Sequence, residues 1–485
     1  ALKEIGARLF GADAKAEKKA LDALKHGRTV DEVYRELRDV ENLRPRADRE
    51  SAVLTRQRAR EIAAGTHKDW DTFTADDIAA YAMQDTRLTL DLHEWQQDFL
   101  AENPEYSEGI EREQRVAGLA YRMTRTGVRV DRDRAVAALE AAETRAAELQ
   151  AGFPVNLKSP QQVAKLLYED WKLPVSRRTR SGAPSTDKLA LKGLSYDERV
   201  NGLLEFRSLT KQIDAFYIPL LDRVGDDGRI HPSWNCHRVV TGRWSCSEPN
   251  LQQIPRDGSV KTVFIPEPGY TFVHADLPNA ELRVAAILAD EDIWLDAFAA
   301  GADLHQTMAD AAGVPRQVAK TINFSALYGV GPRKLAQTLA QGTGQRPDEN
   351  LARRMLNSYW AAVPRVRRLF DGMAEAWVRR GRLPIRPWSG RFRHREGRFG
   401  PESDYKALNS IIQGSVGESV KDWLLELEIV CRNRGWRLVA QVHDAVTLEV
   451  PESDYAAAAA ALQVTWDDIN PFDRLPWVLD CEEVF

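Results

Sequence analysis

Cysteine and long apolar runs are both scarce in this chain. Its 485 residues include only four cysteines, and no two of them are separated by two residues, so a zinc-binding or disulfide framework is not expected. No apolar run approaches the roughly 20 residues that a membrane-spanning helix needs. The first residues, Ala1-Leu2-Lys3-Glu4, neither form a signal peptide nor include an initiator methionine, which indicates a processed or shortened chain. We expect a cytoplasmic protein with reduced thiols.

An excess of basic charge is also absent, although the charges are unevenly distributed. Lys and Arg (67 residues) are outnumbered by Asp and Glu (72 residues), for a net charge of −5. Residues 353–398, however, contain 13 arginines, no lysine and three acids, a charge of +10, with aromatic residues interleaved. This segment is either a solvated helix face or, as its charge favours, a surface that binds a polyanion. A smaller basic patch consists of Arg177, Arg178, Arg180 and Lys188.

Helical periodicity dominates much of the chain, whose length indicates about three domains at roughly 150 residues each. Charged, amphipathic patterns predict helices in the first hundred residues and again up to residue 168. The segments are residues 15–24, 29–38, 74–99, 110–126, 132–150 and 160–168. Residues 280–380 are also predicted to be helical.

Short apolar runs bounded by turn residues predict strands in two places. Val260–Ile265 and Tyr270–Ala275 are two such runs, and Arg437–Val442 with Ala445–Val450 predicts a hairpin. The predicted order along the chain is therefore helices, strands, helices and strands. This order favours an α+β protein whose core is interrupted by a helical insertion.

Two aspartates stand where predicted strands end. Asp276 follows the apolar run of residues 271–275, and Asp444 lies at the tip of the predicted hairpin. Aspartate is common in turns, so turn chemistry explains either position taken singly. If the strands are neighbours, the two carboxylates supply hard oxygen ligands for Mg²⁺. Two such ions about 4 Å apart activate an attacking hydroxyl and stabilise a leaving phosphate oxygen.

A second pattern starts at Arg316 and continues at every fourth residue with Lys320, Phe324 and Tyr328. Successive members are rotated by about 400° on an α-helix, so they form one slowly drifting stripe. The rise from Arg316 to Phe324 is about 12 Å, which matches an extended nucleoside triphosphate. Cations suit its phosphates and aromatic rings suit its base. The alternative is an exposed basic turn that leads into a buried aromatic turn.

Four segments, in this order, resemble the signature motifs of DNA polymerase family A, which includes bacterial DNA polymerase I and many phage replicative polymerases. The sequence TGRWSCSEPNLQQIP (241–255) is similar to the family's TGRLSSSxPNLQNIP, and DLPNAELR (276–283) is similar to motif A, DYSQIELR. Residues 316–329 resemble motif B, RxxxKxxxFxxxYG, and QVHD (441–444) resembles motif C. Thumb segments of the family are similar to residues 156–160 and 182–186.

This resemblance implies the right-hand polymerase fold, a multidomain α+β architecture with a thumb, a palm containing an antiparallel sheet, and helical fingers. The implied thumb is residues 106–225. The palm would comprise residues 226–290 and 401–485, and the fingers residues 291–400. Residues 1–105 would be a partial 3′–5′ exonuclease-like region.

The resemblance also implies a DNA-templated DNA polymerase that adds dNTPs to a primer 3′-OH. Asp276 and Asp444, together with the backbone carbonyl of Leu277, would hold two Mg²⁺ ions, for which Mn²⁺ can substitute. Arg316 and Lys320 would bind the triphosphate, and Lys320 would protonate the pyrophosphate as it leaves.

Further positions match the nucleotide and DNA contacts of the family. His305 matches a phosphate contact, Phe324 would stack on the incoming base, and Tyr328 would guard the template side of the pocket. Glu281 matches the steric gate that excludes a ribose 2′-OH. The expected DNA contacts, in the minor groove or at the primer end, are Arg243, Asn409, Gln413 and His443.

The sequence departs from the family pattern at several of these motifs. Motif C usually ends in His-Asp-Glu, but Ala445 stands in place of the glutamate. Leu277 and Pro278 replace the Tyr and Ser of motif A, and Pro278 cannot donate a strand hydrogen bond. Only ten residues separate His305 from Arg316, which favours a compact, phage-type replicative enzyme.

Tyr81 and Asp85 resemble the Y-x3-D third motif of the family's exonuclease. A working exonuclease also needs upstream carboxylates, usually a DxE sequence on a first strand. Asp39-Val40-Glu41 has these letters but lies in a charged helical stretch, so we assign the match to coincidence. We expect the exonuclease site to be incomplete, with the start of that domain absent.

Two other classes of protein are weighed against this interpretation. A single-subunit RNA polymerase shares the aspartates and the Arg/Lys/Tyr stripe, but such enzymes lack a bulky gate like Glu281. A catalytically inactive DNA-binding or scaffold protein is supported by Ala445 and the altered motif A. We expect primer-template DNA and dNTPs as partners, a monomer, and no membrane association; the sequence does not define replisome partners.

Overall fold

The computed structural model describes residues 75–483, except residues 176, 180, 256–257, 341–346, 387–389 and 396–405. The chain divides into two compact units, Ala1–Ser107 and Glu108–Phe485. Several predicted features lie outside the described residues: the helices at 15–24 and 29–38, Asp39-Val40-Glu41, and Arg180.

The described part of the first unit is one long helix and a short turn. Helix α1 (Ala75–Glu102) confirms the helix predicted at residues 74–99. A 3₁₀ turn, Pro104–Tyr106, follows, and the Tyr106 ring lies 5.4 Å from that of Phe99. Proline fits this first turn position because it needs no backbone donor there.

The second unit begins with a group of helices, each of which contributes apolar side chains to a shared core. Its members are α2 (Ser107–Thr126), α3 (Arg132–Ala151), α4 (Pro160–Lys165), α5 (Lys188–Lys192), α6 (Glu198–Gln212) and α7 (Ile218–Arg223). Three of the predicted helices are confirmed here. The Asp131 side chain caps α3 by accepting from the Arg134 N–H at 2.9 Å, as expected for a helix start.

Two small sheets follow. One pairs β1 (Val128–Arg129) with β2 (Arg229–Ile230), and the other pairs β3 (Ser233–Asn235) with β4 (Ser245–Ser247). The strand predicted at Val260–Ile265 is wrong, because Lys261–Val263 forms a 3₁₀ turn. Val260, Val263 and Phe264 are buried by this turn, and periodicity cannot distinguish a short buried apolar run of this kind from a strand.

Strand β5 (Tyr270–Asp276) then leads into a second, longer group of helices. The group consists of α8 (Ala280–Ala289), α9 (Asp292–Ala299), α10 (Leu304–Ala312), α11 (Arg316–Leu327), α12 (Pro332–Leu339), α13 (Glu349–Ala362) and α14 (Pro364–Arg380). The helical prediction for residues 280–380 is thus confirmed for the residues that the structure describes. A hairpin of β6 (Arg382–Arg386) and β7 (Arg391–His394) follows.

The last segment completes the central sheet. It contains α15 (Lys406–Arg434), β8 (Arg437–Val442), β9 (Ala445–Pro451), α16 (Tyr455–Ile469) and β10 (Asp480–Glu483). The strands are ordered β10-β5-β9-β8, and every neighbouring pair is antiparallel. The predicted hairpin and the α+β class are therefore confirmed, whereas β10 was not predicted.

Helices α15 and α16 pack against this sheet. Val446, Leu448 and Val450 of β9 are fully buried, while the alternate residue Thr447 is partly exposed. Between Leu438 and Ala440 the register of β8 shifts by one residue relative to β9, which is a β-bulge. No helix in the described part of the chain has the length and apolar character needed to cross a membrane.

Candidate active site

The two aspartates lie side by side at the ends of neighbouring strands. Asp276, the last residue of β5, is paired in register with Ala445, the first residue of β9. Asp444 immediately precedes Ala445 in the two-residue turn that follows Val442, and His443 in this turn has a left-handed backbone with φ of 60°. Both carboxylates line a cavity of about 790 Å³.

The electrostatics of this pair suit a bound cation. Burial, together with the neighbouring Asp276 charge, raises the pKa of Asp444 to about 6. A divalent cation between the carboxylates would offset both effects, and carboxylate oxygens are the ligands that Mg²⁺ prefers. In the described residues, no group of three or more His, Cys, Asp or Glu side chains is arranged to hold a metal. Two carboxylates alone fit Mg²⁺ sites that are completed by water and substrate phosphates.

Glu281 stands in the first turn of α8 and is held by two donors. The Tyr328 hydroxyl donates to one carboxylate oxygen at 2.6 Å, and the Arg243 guanidinium pairs with the other. Gln413 Nε2 donates to the Tyr328 oxygen at 3.3 Å. Burial, reinforced by the Glu281 charge, raises the pKa of Tyr328 to about 12, so its hydroxyl remains a donor at neutral pH. Four separate segments thus converge on one hydrogen-bonded group.

Helix α11 carries most of the predicted stripe. Arg316, Lys320 and Phe324 are all exposed, and Phe324 also lines the cavity. Tyr328 differs from the prediction because α11 ends at Leu327 and Tyr328 stands in the turn that follows. Gly329 in this turn has a positive φ of 63°, which stops the helix at little steric cost.

Arg316 is joined to His305 through one acidic residue. Arg316 Nε donates to Asp303 at 2.8 Å, and the same carboxylate accepts from the backbone N–H of His305 at 2.9 Å as the cap of α10. The Asn323 amide donates to His305 Nδ1 at 2.8 Å, and the imidazole lies 5.5 Å from the Phe324 ring. Burial lowers the pKa of His305, so the ring is neutral at neutral pH.

The cavity brings together most, but not all, of the predicted site residues. Those in its wall are Arg243, Asp276, Leu277, Glu281, Phe324, Tyr328, His443 and Asp444. Arg316, Lys320 and His305 lie on α10 and α11 beyond this wall. Asn409 precedes Gln413 by one turn on the same face of α15. Tyr81 and Asp85 both fall within α1.

Several cavity residues were not predicted from the sequence. Gln252 lines the cavity, and its Nε2 donates to Oε1 of the buried Gln441 at 3.0 Å. Asp480 of β10 is paired in register with Asp276, and Glu482 is paired with His274. The alternation of Asp480 and Glu482 around Cys481 is the sequence signal for a strand with one polar face, although it is too short to be distinctive.

Comparison with known proteins places this architecture in a family. The family model for DNA polymerase family A matches residues 129–479. DNA polymerase I of Geobacillus stearothermophilus is 30% identical over 376 residues, which cover 71% of this chain and 42% of that protein. The thermostable DNA polymerase I of Thermus aquaticus is 31% identical over 391 residues, covering 74% of this chain and 46% of that protein. The chain therefore belongs to DNA polymerase family A.

The fold is also similar to that of a solved polymerase domain. The POL domain of Pol1 from M. smegmatis, in complex with DNA primer-template and dNTP, has a TM-score of 0.69 and 25% sequence identity. The match covers 77% of this chain and 69% of that domain. The matched region spans less than half the length of the two curated relatives.

Proposed function

We propose that this protein is a DNA-templated DNA polymerase that adds dNTPs to a primer 3′-OH by two-metal-ion nucleotidyl transfer. The observation that carries this proposal is the adjacent placement of Asp276 and Asp444 in a cavity whose wall also contains Glu281 and Phe324. Membership of DNA polymerase family A supports it, as does the similarity to a polymerase domain solved with primer-template and dNTP.

Asp276 and Asp444, with the carbonyl of Leu277, would hold two Mg²⁺ ions or the Mn²⁺ that replaces them. Bound metal supplies Lewis acidity to the attacking hydroxyl and charge neutralisation to the leaving oxygen. The two side chains contribute a concentrated negative charge at the ends of rigid strands. Ala445 adds no carboxylate, so Asp276 and Asp444 would carry this role without the third acid found in the family.

Arg316, Lys320 and His305 would bind the triphosphate of the incoming dNTP. In the structure Asp303 neutralises Arg316, so a phosphate would replace this carboxylate as its partner. Lys320 would donate a proton to the leaving pyrophosphate. Phe324, with 41% of its surface exposed at the cavity, would stack on the base.

Glu281 would exclude ribonucleotides by occupying the space that a ribose 2′-OH needs. Its two donors, Tyr328 and Arg243, fix the carboxylate in one orientation. A fixed side chain rejects an extra hydroxyl more effectively than a mobile one because it cannot move aside without losing hydrogen bonds. Tyr328 would also limit the template side of the pocket.

The DNA would be contacted by Arg243, His443, Asn409 and Gln413 at the primer end and in the minor groove. Such contacts read pair geometry, since minor-groove acceptors recur in every base pair. The arginine-rich segment of residues 353–398 would contact phosphates. Some of its arginines are already paired, such as Arg365 with Asp292, so the effective charge is smaller than the sequence suggests.

The implied domain layout belongs to this proposal. Residues 106–225 would form the thumb, 226–290 and 401–485 the palm, and 291–400 the fingers of a right-hand fold. Closure of the fingers over the nucleotide would add selectivity. The short segment between His305 and Arg316 supports a compact, phage-type replicative enzyme, which we propose to act as a monomer.

Primer extension tests the proposal directly. The intact chain should extend a primer with dNTPs and Mg²⁺, and should use rNTPs poorly. Asp276→Asn and Asp444→Asn should each lower the rate by at least about a thousandfold, since a metal contributes several kcal/mol to the transition state. Asp467→Asn, which changes an exposed aspartate of α16, serves as the matched control and should leave the rate unchanged.

Other outcomes would point to the other two classes of protein. Efficient incorporation of rNTPs would indicate an RNA polymerase. DNA binding without extension by the intact chain would indicate an inactive DNA-binding protein, and extension that survives both aspartate substitutions would refute the assigned metal site.

A further inference from the structure

A largely buried ionic cluster joins three segments that are distant in the sequence. It consists of Arg112 and Glu113 of α2, Arg391 of β7, and Glu418 and Lys421 of α15. The Lys421 and Glu418 side chains are completely buried. Lys421 Nζ donates to Glu113 Oε1 at 2.6 Å and lies 3.3 Å from Glu418 Oε1.

The two arginines complete this ionic cluster. Arg391 Nη1 donates to Glu113 at 2.9 Å and lies 3.4 Å from Glu418 Oε1. Arg112 pairs with the second oxygen of Glu418, and its Nε lies 3.7 Å from Asp422 at the edge of the cluster. Each glutamate therefore has at least two cationic neighbours.

The loop Thr241-Gly242-Arg243 lies directly against this cluster. Gly242 has φ of +87°, and a Cβ there would lie 2.8 Å from Glu418 Oε1 and 3.1 Å from Arg391 Nε. Glycine is required at this position because the backbone conformation is left-handed and there is no space for a side chain.

Two glycines of α15 hold the rest of the loop close. A Cβ on Gly414 would lie 3.0 Å from the Thr241 carbonyl oxygen, and one on Gly417 would lie 3.2 Å from Arg243 Cγ. The backbone of the loop thus lies close to the helix, and Arg243 lines the cavity, where its guanidinium pairs with Glu281.

We infer that the ionic cluster positions Arg243 for its contact with the primer end. Buried ion pairs are poor sources of stability, because apolar residues of similar volume often stabilise a core as well or better. Hydrogen-bonded charges do, however, fix distances and directions. Here Glu418 and Arg391 lie against Gly242, the residue that immediately precedes Arg243. This inference rests on the proposed function, since it assumes that Arg243 contacts the primer.

A double-mutant cycle tests the inference. The dissociation constant for primer-template DNA is measured by fluorescence anisotropy for wild type, Glu113→Gln, Arg243→Ala and the double variant. Glu113→Gln removes one charge and preserves the side-chain volume. We expect it to weaken DNA binding by about tenfold in wild type and less than about twofold beside Arg243→Ala, as coupled residues do. The KM for dNTP should change less than the KM for DNA.

Glu428→Gln is the matched control, because Arg122 and Glu428 form an ion pair between the same two helices, remote from Gly242. It should leave DNA binding unchanged. Gly417→Ala is an independent arm, since its new methyl group would press on Arg243 without altering any charge; it should weaken DNA binding as Glu113→Gln does. It also serves as the test if Glu113→Gln fails to fold.

The failures of the two proposals are distinguishable. The positioning role would be overturned if Glu113→Gln weakened DNA binding equally in wild type and beside Arg243→Ala. It would also be overturned if Glu113→Gln left DNA binding unchanged, or if Gly417→Ala did. A wild-type chain that neither binds nor extends primer-template would instead refute the proposed polymerase function.

Discussion

Glu281 illustrates how the chemistry of one carboxylate depends on its immediate partners. Its two oxygens are occupied by different donors, the Tyr328 hydroxyl and the Arg243 guanidinium. The Tyr328 hydroxyl holds the carboxylate toward the turn that follows the helix of Phe324, and the Arg243 guanidinium holds it toward the loop Thr241-Gly242-Arg243. A change in either donor should therefore alter nucleotide choice before it alters the fold.

Tyr328→Phe removes the donor to Glu281 and keeps the aromatic ring. A hydrogen bond to a charged group contributes about 1.5–3 kcal/mol, and under the proposed function part of that would hold Glu281 against an incoming 2′-OH. We expect the preference for dNTP over rNTP, as the ratio of kcat/KM values in single-nucleotide incorporation, to fall by about tenfold. Tyr121→Phe, at an exposed tyrosine of α2, is the control. An unchanged ratio would mean that Tyr328 does not support the gate.

Individual site residues were predictable where they formed a spaced motif. The strand-end aspartates could be identified from the sequence and line one cavity, and the residues from Arg316 to Phe324 lie on one helix as predicted, although their nucleotide-binding role stays a prediction. Asp303 could not be identified as the partner of Arg316, because an ion pair between two helices depends on how those helices cross. Gln252 and Gln441 are 189 positions apart, and only the folded chain brings the turn that contains Gln252 next to strand β8.

One face of strand β9 packs in the core, and its other face lines the cavity. Leu448 is fully buried beneath the sheet, whereas Thr447 faces the cavity and accepts or donates a hydrogen bond with His274 at 2.9 Å. Packing and chemistry are thus separated by the alternation of side chains along a single strand.

Leu448→Ala should test the packing face of β9. Truncation of a fully buried leucine lowers the free energy of unfolding by about 2–5 kcal/mol, because it leaves a cavity as well as losing apolar contact. Urea denaturation monitored by tryptophan fluorescence should show this loss. Thr447→Ala, on the other face, should cost only about 0.5–1.5 kcal/mol for its hydrogen bond. Equal losses would contradict the assignment of the two faces.

Helices and the hairpin were predictable because each repeats its pattern over many residues. The helices at 110–126 and 132–150 and the hairpin flanking Asp444 are of this kind. The Val260–Ile265 run was assigned wrongly because a buried 3₁₀ turn and a buried strand have similar composition. Strand β10 was missed because its acidic residues face an open cavity rather than a core. The sheet order β10-β5-β9-β8 required the structure.

The distribution of charge across the chain is more informative than its sum. A net charge of −5 coexists with an arginine-rich segment and with two neighbouring acids, Asp276 and Asp444, in the candidate active site. The fold class followed from the order of elements, and the family from four motifs. The division into thumb, palm and fingers stays a prediction, as does the role of the region that contains Tyr81 and Asp85.

We expect the chain to lack 3′–5′ exonuclease activity. Such hydrolysis needs several carboxylates around metal ions, and besides Asp85 the sequence has only the Asp39-Val40-Glu41 match, which we assign to coincidence. A primer labelled at its 3′ end should retain its label during incubation with Mg²⁺ without dNTPs, and Asp85→Asn should behave like wild type. Metal-dependent loss of label that Asp85→Asn abolishes would show a complete exonuclease site.

The bulge in β8 limits the insertions and deletions that the β8–β9 hairpin can accept. The extra residue between Leu438 and Ala440 determines which face each following residue of β8 presents, up to the turn that carries Asp444. A single deletion in this arm would either abolish the bulge or exchange the two faces, moving Asp444 by about 3.4 Å. Homologous chains should therefore differ here by substitution alone, and insertions and deletions should accumulate in loops away from this hairpin.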